Sequence, residues 1–226
     1  MKPSSIIENI LRERAGRLLA TKVVADILKQ PFVLAGGAMR PAEPRDYDIF
    51  GYDRPIDLSE VERRCRERTD ITVIVRTDNA VTAECKGQTI QFCKHFKPTA
   101  PELVDSFDFS HIQAGVVFNG EGGIANVAYT SAFENVEVWH ETPSYMGSEY
   151  PLSSLARLVK FKNRGDFLPR GDDDFIAQIM AIFCDIVKRG FADEEDFYAQ
   201  CAAISGSWEY VDPTELYDLL KKGGAK

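Results

Sequence analysis

Two carboxylates, Asp46 and Asp48, stand two positions apart in the segment RDYDIF, and a pair of glycines, Gly36 and Gly37, precedes them in LAGGAMR. Side chains two residues apart on a β-strand point to the same face, with their Cα atoms about 6.5–7 Å apart. Carboxylates held that close raise the cost of each other's charge, so such a face is comfortable only beside cations or in ample water. Mg²⁺ suits it, because it usually takes one or two protein carboxylates and fills its shell with phosphate oxygens and waters. A pair of such ions can hold an attacking hydroxyl and a departing pyrophosphate in line. Gly36 and Gly37 add the second half of the chemistry, since a backbone without side chains lets a phosphate approach closely and meet the amides of the turn that follows. Taken together, the two segments predict a cradle for a triphosphate and a divalent metal.

The elements that must position this cradle can be read from apolar spacing. Residues 32–35 form a short apolar run that breaks at Gly36, as a buried strand entering a tight turn does. In residues 46–52 charged and apolar side chains alternate, which predicts a half-buried strand with Tyr47 and Ile49 toward the core and Asp46 and Asp48 on the other face. Before them, Ile6, Ile7, Ile10, Leu11, Leu18, Leu19, Val23, Val24, Ile27 and Leu28 keep helical spacing, so the first thirty residues predict one or two amphipathic helices ending at Pro31. Afterwards come a charged helix at 58–68, strands at 71–76, 81–85 and 89–96, a short helix at 100–105, a long strand at 107–118 and a last strand at 124–129 beyond the turn Asn119–Gly123. Helical patterns at 152–163, 174–189, 194–203 and 213–221 follow, with the acidic run Asp172, Asp173 and Asp174 placed to cap one of them. The expected organisation is an α+β or α/β head over residues 1–140, built on a mixed sheet with flanking helices, and an all-α region over residues 141–226.

With these residues in place, the chain resembles a known family. LAGGAMR followed by RDYDIF is similar to the signature of the DNA polymerase β superfamily of nucleotidyltransferases, in which a hydrophobic-Gly-Gly or Gly-Ser turn precedes an Asp-x-Asp strand. The Gly-Gly-x-x-Arg form, Gly36 to Arg40, is similar to the head of the tRNA CCA-adding and poly(A) polymerase group. The resemblance implies a nucleotidyltransferase-like fold and the transfer of a nucleotidyl group from an NTP such as ATP to a hydroxyl, with release of pyrophosphate. It assigns Asp46 and Asp48 to Mg²⁺ (or Mn²⁺) and Gly36, Gly37 and Arg40 to the nucleotide. It also implies a third carboxylate on a neighbouring strand, where this sequence has Gln91. Asp108, between Phe107 and Phe109, is the expected replacement, with Glu84 and Asp105 as runners-up. Arg157, Lys160 and Arg164 share one face of a predicted helix, and the resemblance gives them the triphosphate. After Arg40 stand Pro41 and Ala42, where the CCA-adding head continues Arg-Asp.

Composition bounds the partners. A formal net charge of −8 argues against coating nucleic acid through the overall field, while Arg63, Arg64, Arg66 and Arg68 leave a local basic patch open. The acceptor is left among tRNA or another RNA end, a small hydroxylated molecule and a protein side chain. Five cysteines without a CxxC pair fit reduced thiols, and His95, His111 and His140 are too scattered for a local metal motif. With no run of about eighteen apolar residues and no signal-peptide core, the expected setting is cytoplasmic and away from membranes. Gln91 also supports a second expectation, a catalytically inactive module of the same fold that binds a nucleotide or a protein partner.

Overall fold

The computed structural model describes residues 3–147 and, beyond them, residues 154, 157, 161, 185–186, 188–193, 195–197 and 199–200. By its internal contacts the chain divides into two compact units, Met1–Glu141 and Thr142–Lys226. The first opens with helices α1 (Pro3–Ala15) and α2 (Thr21–Leu28), and α2 closes on Lys29 in the left-handed conformation. Strand β1 (Phe32–Ala35), buried along its whole length, runs into a 3₁₀ turn at Gly36–Met39 and then β2 (Asp46–Gly51). Next come α3 (Leu58–Arg66), β3 (Ile71–Arg76), β4 (Ala80–Cys85), β5 (Gln88–Cys93), α4 (Ala100–Asp105), a 3₁₀ turn at Ser110–Ile112, β6 (Ala114–Phe118), β7 (Ile124–Tyr129) and α5 (Ser131–Trp139).

The seven strands form one mixed sheet in the order β3-β4-β5-β2-β1-β6-β7. Only β2 and β5 pair in parallel, and every other pair is antiparallel. Alternation along the strands divides the sheet into two faces. One packs Phe32, Leu34, Tyr47, Ile49, Ile90 and Phe92 under α1, α2, α3 and α5. The other carries Val33, Ala35, Phe50 and Val117, and is covered by α4 through Ala100, Leu103 and Val104. Burying each of these large apolar side chains contributes about 1.5–3 kcal/mol, so the two-sided alternation leaves β2 little freedom to slip: a shift of one residue would turn Tyr47 and Ile49 out and the two aspartates in. This is the α+β architecture expected.

Three local readings differ from the sequence pattern. The strand expected at 107–118 is present only from Ala114, because Asp108 falls in a bend and Ser110–Ile112 wind into a 3₁₀ turn. Helix α5, capped by the Thr130 hydroxyl accepting from Phe133 N, was not foreseen. The arginines of α3 form no open basic patch: Arg63 pairs with Glu60 and Glu67, Arg64 with Glu60, and Arg66 with Glu62, while Arg68 pairs with Asp70 just beyond. The helices expected at 174–189, 194–203 and 213–221, the run Asp172–Asp174 and most of 152–163 lie outside the described residues, although residues 154, 157, 161, 185, 186, 188, 189, 195–197, 199 and 200 are helical. Among the described residues no helix is long and apolar enough to cross a membrane.

A buried ion pair ties the first helix to the last. Arg14 of α1 donates to both carboxylate oxygens of Glu137 in α5, at 2.8 and 2.7 Å, and also to the carbonyl of Met39. Both side chains are less than a tenth exposed, so removing one strands the other's charge, at a cost of about 3–5 kcal/mol. Urea denaturation of Arg14→Leu should therefore show a loss of about that size, and the double variant Arg14→Leu/Glu137→Leu should recover a good part of it.

Candidate active site

The site begins at the break between β1 and β2. Gly36 has φ +70°, a conformation open to glycine and strained for other residues, and it turns the chain over the row in which Ala35 faces Asp48. A Cβ placed on Gly36 would lie 3.4 Å from Asp48 Oδ2, whereas one on Gly37 would meet nothing within 4 Å. The first glycine is thus required by the backbone and packed against a carboxylate, and the second borders open space.

Asp46 and Asp48 lie on the same face of β2, both half-buried, with Tyr47 and Ile49 between and after them in the opposite core. The thiol of Cys93, on the same face of β5, is pushed well above its usual range by burial, with the negative charges of Asp48 and Asp46 adding to the effect. The two carboxylates therefore share one electrostatic environment. Parallel pairing of β2 with β5 sets Thr89 beside Asp46 and Gln91 beside Asp48.

The end of α1 and the turn after it fix the linker between glycines and aspartates. Besides the bond from Arg14 to Met39, Arg17 Nη1 donates to the carbonyls of Arg40, Pro41 and Ala42 at 3.3, 3.1 and 3.3 Å. The Arg17 carbonyl in turn accepts from the Tyr47 hydroxyl at 3.2 Å and from Gln88 Nε2 at 2.7 Å. Arg14 at the end of α1 and Arg17 just beyond it thereby hold the segment that follows the glycine turn, and the Arg17 carbonyl holds Tyr47 of the aspartate strand. None of Arg14, Arg17 or Glu137 carries a spacing signal in the sequence, because each acts on a segment far away along the chain.

Asp108, the expected third carboxylate, is buried at 3% exposure in the bend before the Ser110–Ile112 turn. Among the described residues no group of three His, Cys, Asp or Glu side chains is placed to hold a metal ion, and Asp108 stands in a bend and not on a strand beside Asp46 and Asp48. The bend breaks the strand alternation on which that expectation rested. Glu84 is exposed on β4 and Asp105 closes α4. Arg40 is buried, and its positive charge acts on His111, which burial holds in the neutral form with a pKa lowered to about 3. Arg157 lies in the second unit, helical and half-buried, while Lys160 and Arg164 lie outside the described residues. A cavity of about 230 Å³ opens elsewhere, among Ile27, Gln30, Arg54, Ile56, Glu60 and Arg64. Its polar groups already satisfy one another, with Arg54 on Gln30 at 2.5 Å and Arg64 on Glu60 at 2.6 Å.

Comparison with solved structures decides the fold. A CCA-adding enzyme solved with ATP superposes with a TM-score of 0.54 over 96% of this chain at 13% sequence identity. The chain has the fold of the CCA-adding nucleotidyltransferases. The same kind of enzyme solved with CTP matches at 0.53 and 13% identity, and the Thermotoga maritima CCA-adding enzyme complexed with tRNA at 0.53 and 14%. The match takes in 54%, 54% and 53% of those three chains, so this chain spans about half the length of the enzymes it resembles. At such identities the likeness is one of fold. No family model matches the sequence, and no curated protein matches it. In this fold the Asp46–Asp48 pair, half-buried, lies on one face of the sheet beside the left-handed glycine at position 36.

Neutral, buried His111 lies in the Ser110–Ile112 turn, within reach of the charge of Arg40. Its folded pKa lies below the unfolded value near 6.5, so the unfolded chain binds the extra proton between pH 6.5 and about 3. Stability is complete above that window and falls as pH drops through it, by up to about 1.4 kcal/mol per unit. Thermal melts of His111→Phe should lose this part of the acid destabilisation; an unchanged slope between pH 6.5 and 4.5 would contradict the assignment.

Proposed function

We propose that the chain is a metal-dependent nucleotidyltransferase that moves a nucleotidyl group from an NTP to an acceptor hydroxyl and releases pyrophosphate. The observation that carries this reading is the contact between bend and carboxylate: two same-face aspartates on β2, one of them 3.4 Å from where a Cβ of Gly36 would be. The neighbours in fold are enzymes solved with ATP and CTP, which supports an NTP as donor.

The donor set suits a hard divalent cation, since Asp46 and Asp48 offer oxygen ligands and Mg²⁺ completes its shell with phosphate and water. Bound there, Mg²⁺ or Mn²⁺ would neutralise phosphate charge and polarise the α-phosphoryl group. The chain's own part is to position. Gly36 and Gly37 present backbone to the β- and γ-phosphates without a side chain in the way, and Arg14 and Arg17 keep that backbone in place. Buried Arg40 adds positive potential under the turn. Arg157, Lys160 and Arg164 are proposed to neutralise the triphosphate. Asp108 is proposed as a support for the Ser110–Ile112 turn that Arg40 faces. In the transfer, the acceptor oxygen bonds to the α-phosphorus, the bond to pyrophosphate breaks with its electron pair leaving on the pyrophosphate, and the hydroxyl proton passes to water.

A second reading is favoured by one observation. Gln91 stands beside Asp48 on the adjoining strand, and an amide neither ligates Mg²⁺ well nor takes a proton, which suits a module that binds nucleotide without turning it over.

Pyrophosphate release with Mg²⁺ and each NTP over a panel of hydroxyl acceptors separates the two. The enzyme reading expects release that Asp46→Asn and Asp48→Asn each reduce by at least about 100-fold. Nucleotide binding with no release from any acceptor would establish the module instead. Gly37→Val should leave the melting behaviour close to that of the parent, within about 0.5 kcal/mol, yet weaken Mg²⁺–NTP binding measured by calorimetry. Unaltered affinity would remove the turn from the phosphate site.

A further inference from the structure

Strand β3 stands at one end of the sheet, and among the described residues no strand pairs with its outer side. An edge of this kind presents unpaired backbone N–H and C=O groups, which natural chains guard with lysine, proline, an inward charge or a bulge. Between Ile71 and Val75 this strand has no lysine, proline or charge, and its one guard is the bulge between Val73 and Val75. Two of its apolar side chains lie open, Ile74 at 56% and Val75 at 48% exposure. Ile71 and Val73 supply the contact with the helix-covered core, so Ile74 and Val75 are surplus to the fold, and covering them is favourable.

What fits this edge is written in its own residues. The tripeptide Arg-Thr-Asp stands at both ends of the strand, as Arg68–Asp70 and again as Arg76–Asp78, with ITVIV between them. Beside a second copy running in the same direction, arginine would face arginine and aspartate would face aspartate, and like charges directly opposite each other are destabilising. Beside a copy running antiparallel about a two-fold axis at Val73, the order reverses. Arg68 and Asp70 of one copy then come beside Asp78 and Arg76 of the other. The bulge is accommodated, since both copies carry it and Ile74 with Val75 of one oppose Thr72 of the other. The charges are already in position: Asp70 and Asp78 are exposed, Arg68 holds Asp70 at 2.7 Å, and Arg76 lies 3.7 Å from Glu62. Two-fold symmetry repeats every one of these pairings.

We propose that the outer edge of β3 is an interface between two copies of this chain, joined as antiparallel strands about a two-fold axis at Val73. The two sheets become continuous through it, with Val73, Ile74 and Val75 at the centre and the Arg-Thr-Asp tripeptides cross-paired at both ends. Strand β2, which carries Asp46 and Asp48, is separated from this edge by β4 and β5, so the interface does not depend on the chemistry proposed for the aspartates.

Sedimentation velocity of the full chain over a concentration series reads the association directly. A dimer should form, and Ile74→Lys, which sets a charge on the edge at an exposed position, should return it to monomer with its thermal melt unchanged. Arg76→Glu should weaken the dimer by about tenfold, because the repulsion it introduces recurs at both ends. Treated with oxidised glutathione, Val73→Cys should give a disulfide-linked dimer, since directly opposed residues hold their Cβ atoms about 4.5–5.5 Å apart. Asn126→Cys, on β7 at the other end of the sheet, should stay uncrosslinked. A chain that remains monomeric throughout the series, a dimer that persists in Ile74→Lys, or crosslinking through Asn126→Cys in place of Val73→Cys would overturn the proposal.

Discussion

Two like charges fixed on one face of a strand, against a bend that only glycine makes easily, form the constraint around which the head is organised. Asp46 and Asp48 cannot relax away from each other, because Tyr47 and Ile49 are buried in the opposite core and hold the strand in register. Nor can the bend drift, since Arg14 at the end of α1 and Arg17 just beyond it hold its far end, and α5 holds Arg14 through Glu137. Repulsion between the carboxylates is thus kept in place by burial and hydrogen bonds elsewhere, and the proposed divalent cation with its phosphate chain would relieve it.

The asymmetry of the sheet gives this constraint a direction. On the β1 side of Asp48 the face is closed by Ala35, Val33 and Val117 and roofed by α4. On the β5 side it carries Gln91, Thr89, Thr82 and Glu84.

Much of this was legible in the sequence, for a local reason. The run Phe32–Ala35, the break at Gly36 and the alternation of Asp46, Tyr47, Asp48 and Ile49 are short-range patterns, and the structure reproduces both strands and the turn between them. The place of Gln91 could be anticipated too, as β5 is a regular strand. The placement of Asp108 on a strand was not legible, because Phe-Asp-Phe looks like strand alternation, whereas Ser110–Ile112 wind into a 3₁₀ turn and carry Asp108 into a buried bend. Arg14, Arg17 and Glu137 left no local trace, as their partners lie many residues away. The α3 arginines read as a basic patch because spacing along a helix shows the cations without showing which carboxylates at i−3, i−4 or i+4 neutralise them.

The most direct measurement is a crystal of the full chain grown with Mn²⁺ and a non-hydrolysable NTP analogue, with anomalous scattering used to locate the metal. The account predicts an anomalous peak bridging the carboxylates of Asp46 and Asp48, with the phosphate chain lying along the backbone of Gly36 and Gly37. A metal bound away from both aspartates, or a nucleotide seated on the helix-covered face of the sheet, would contradict it.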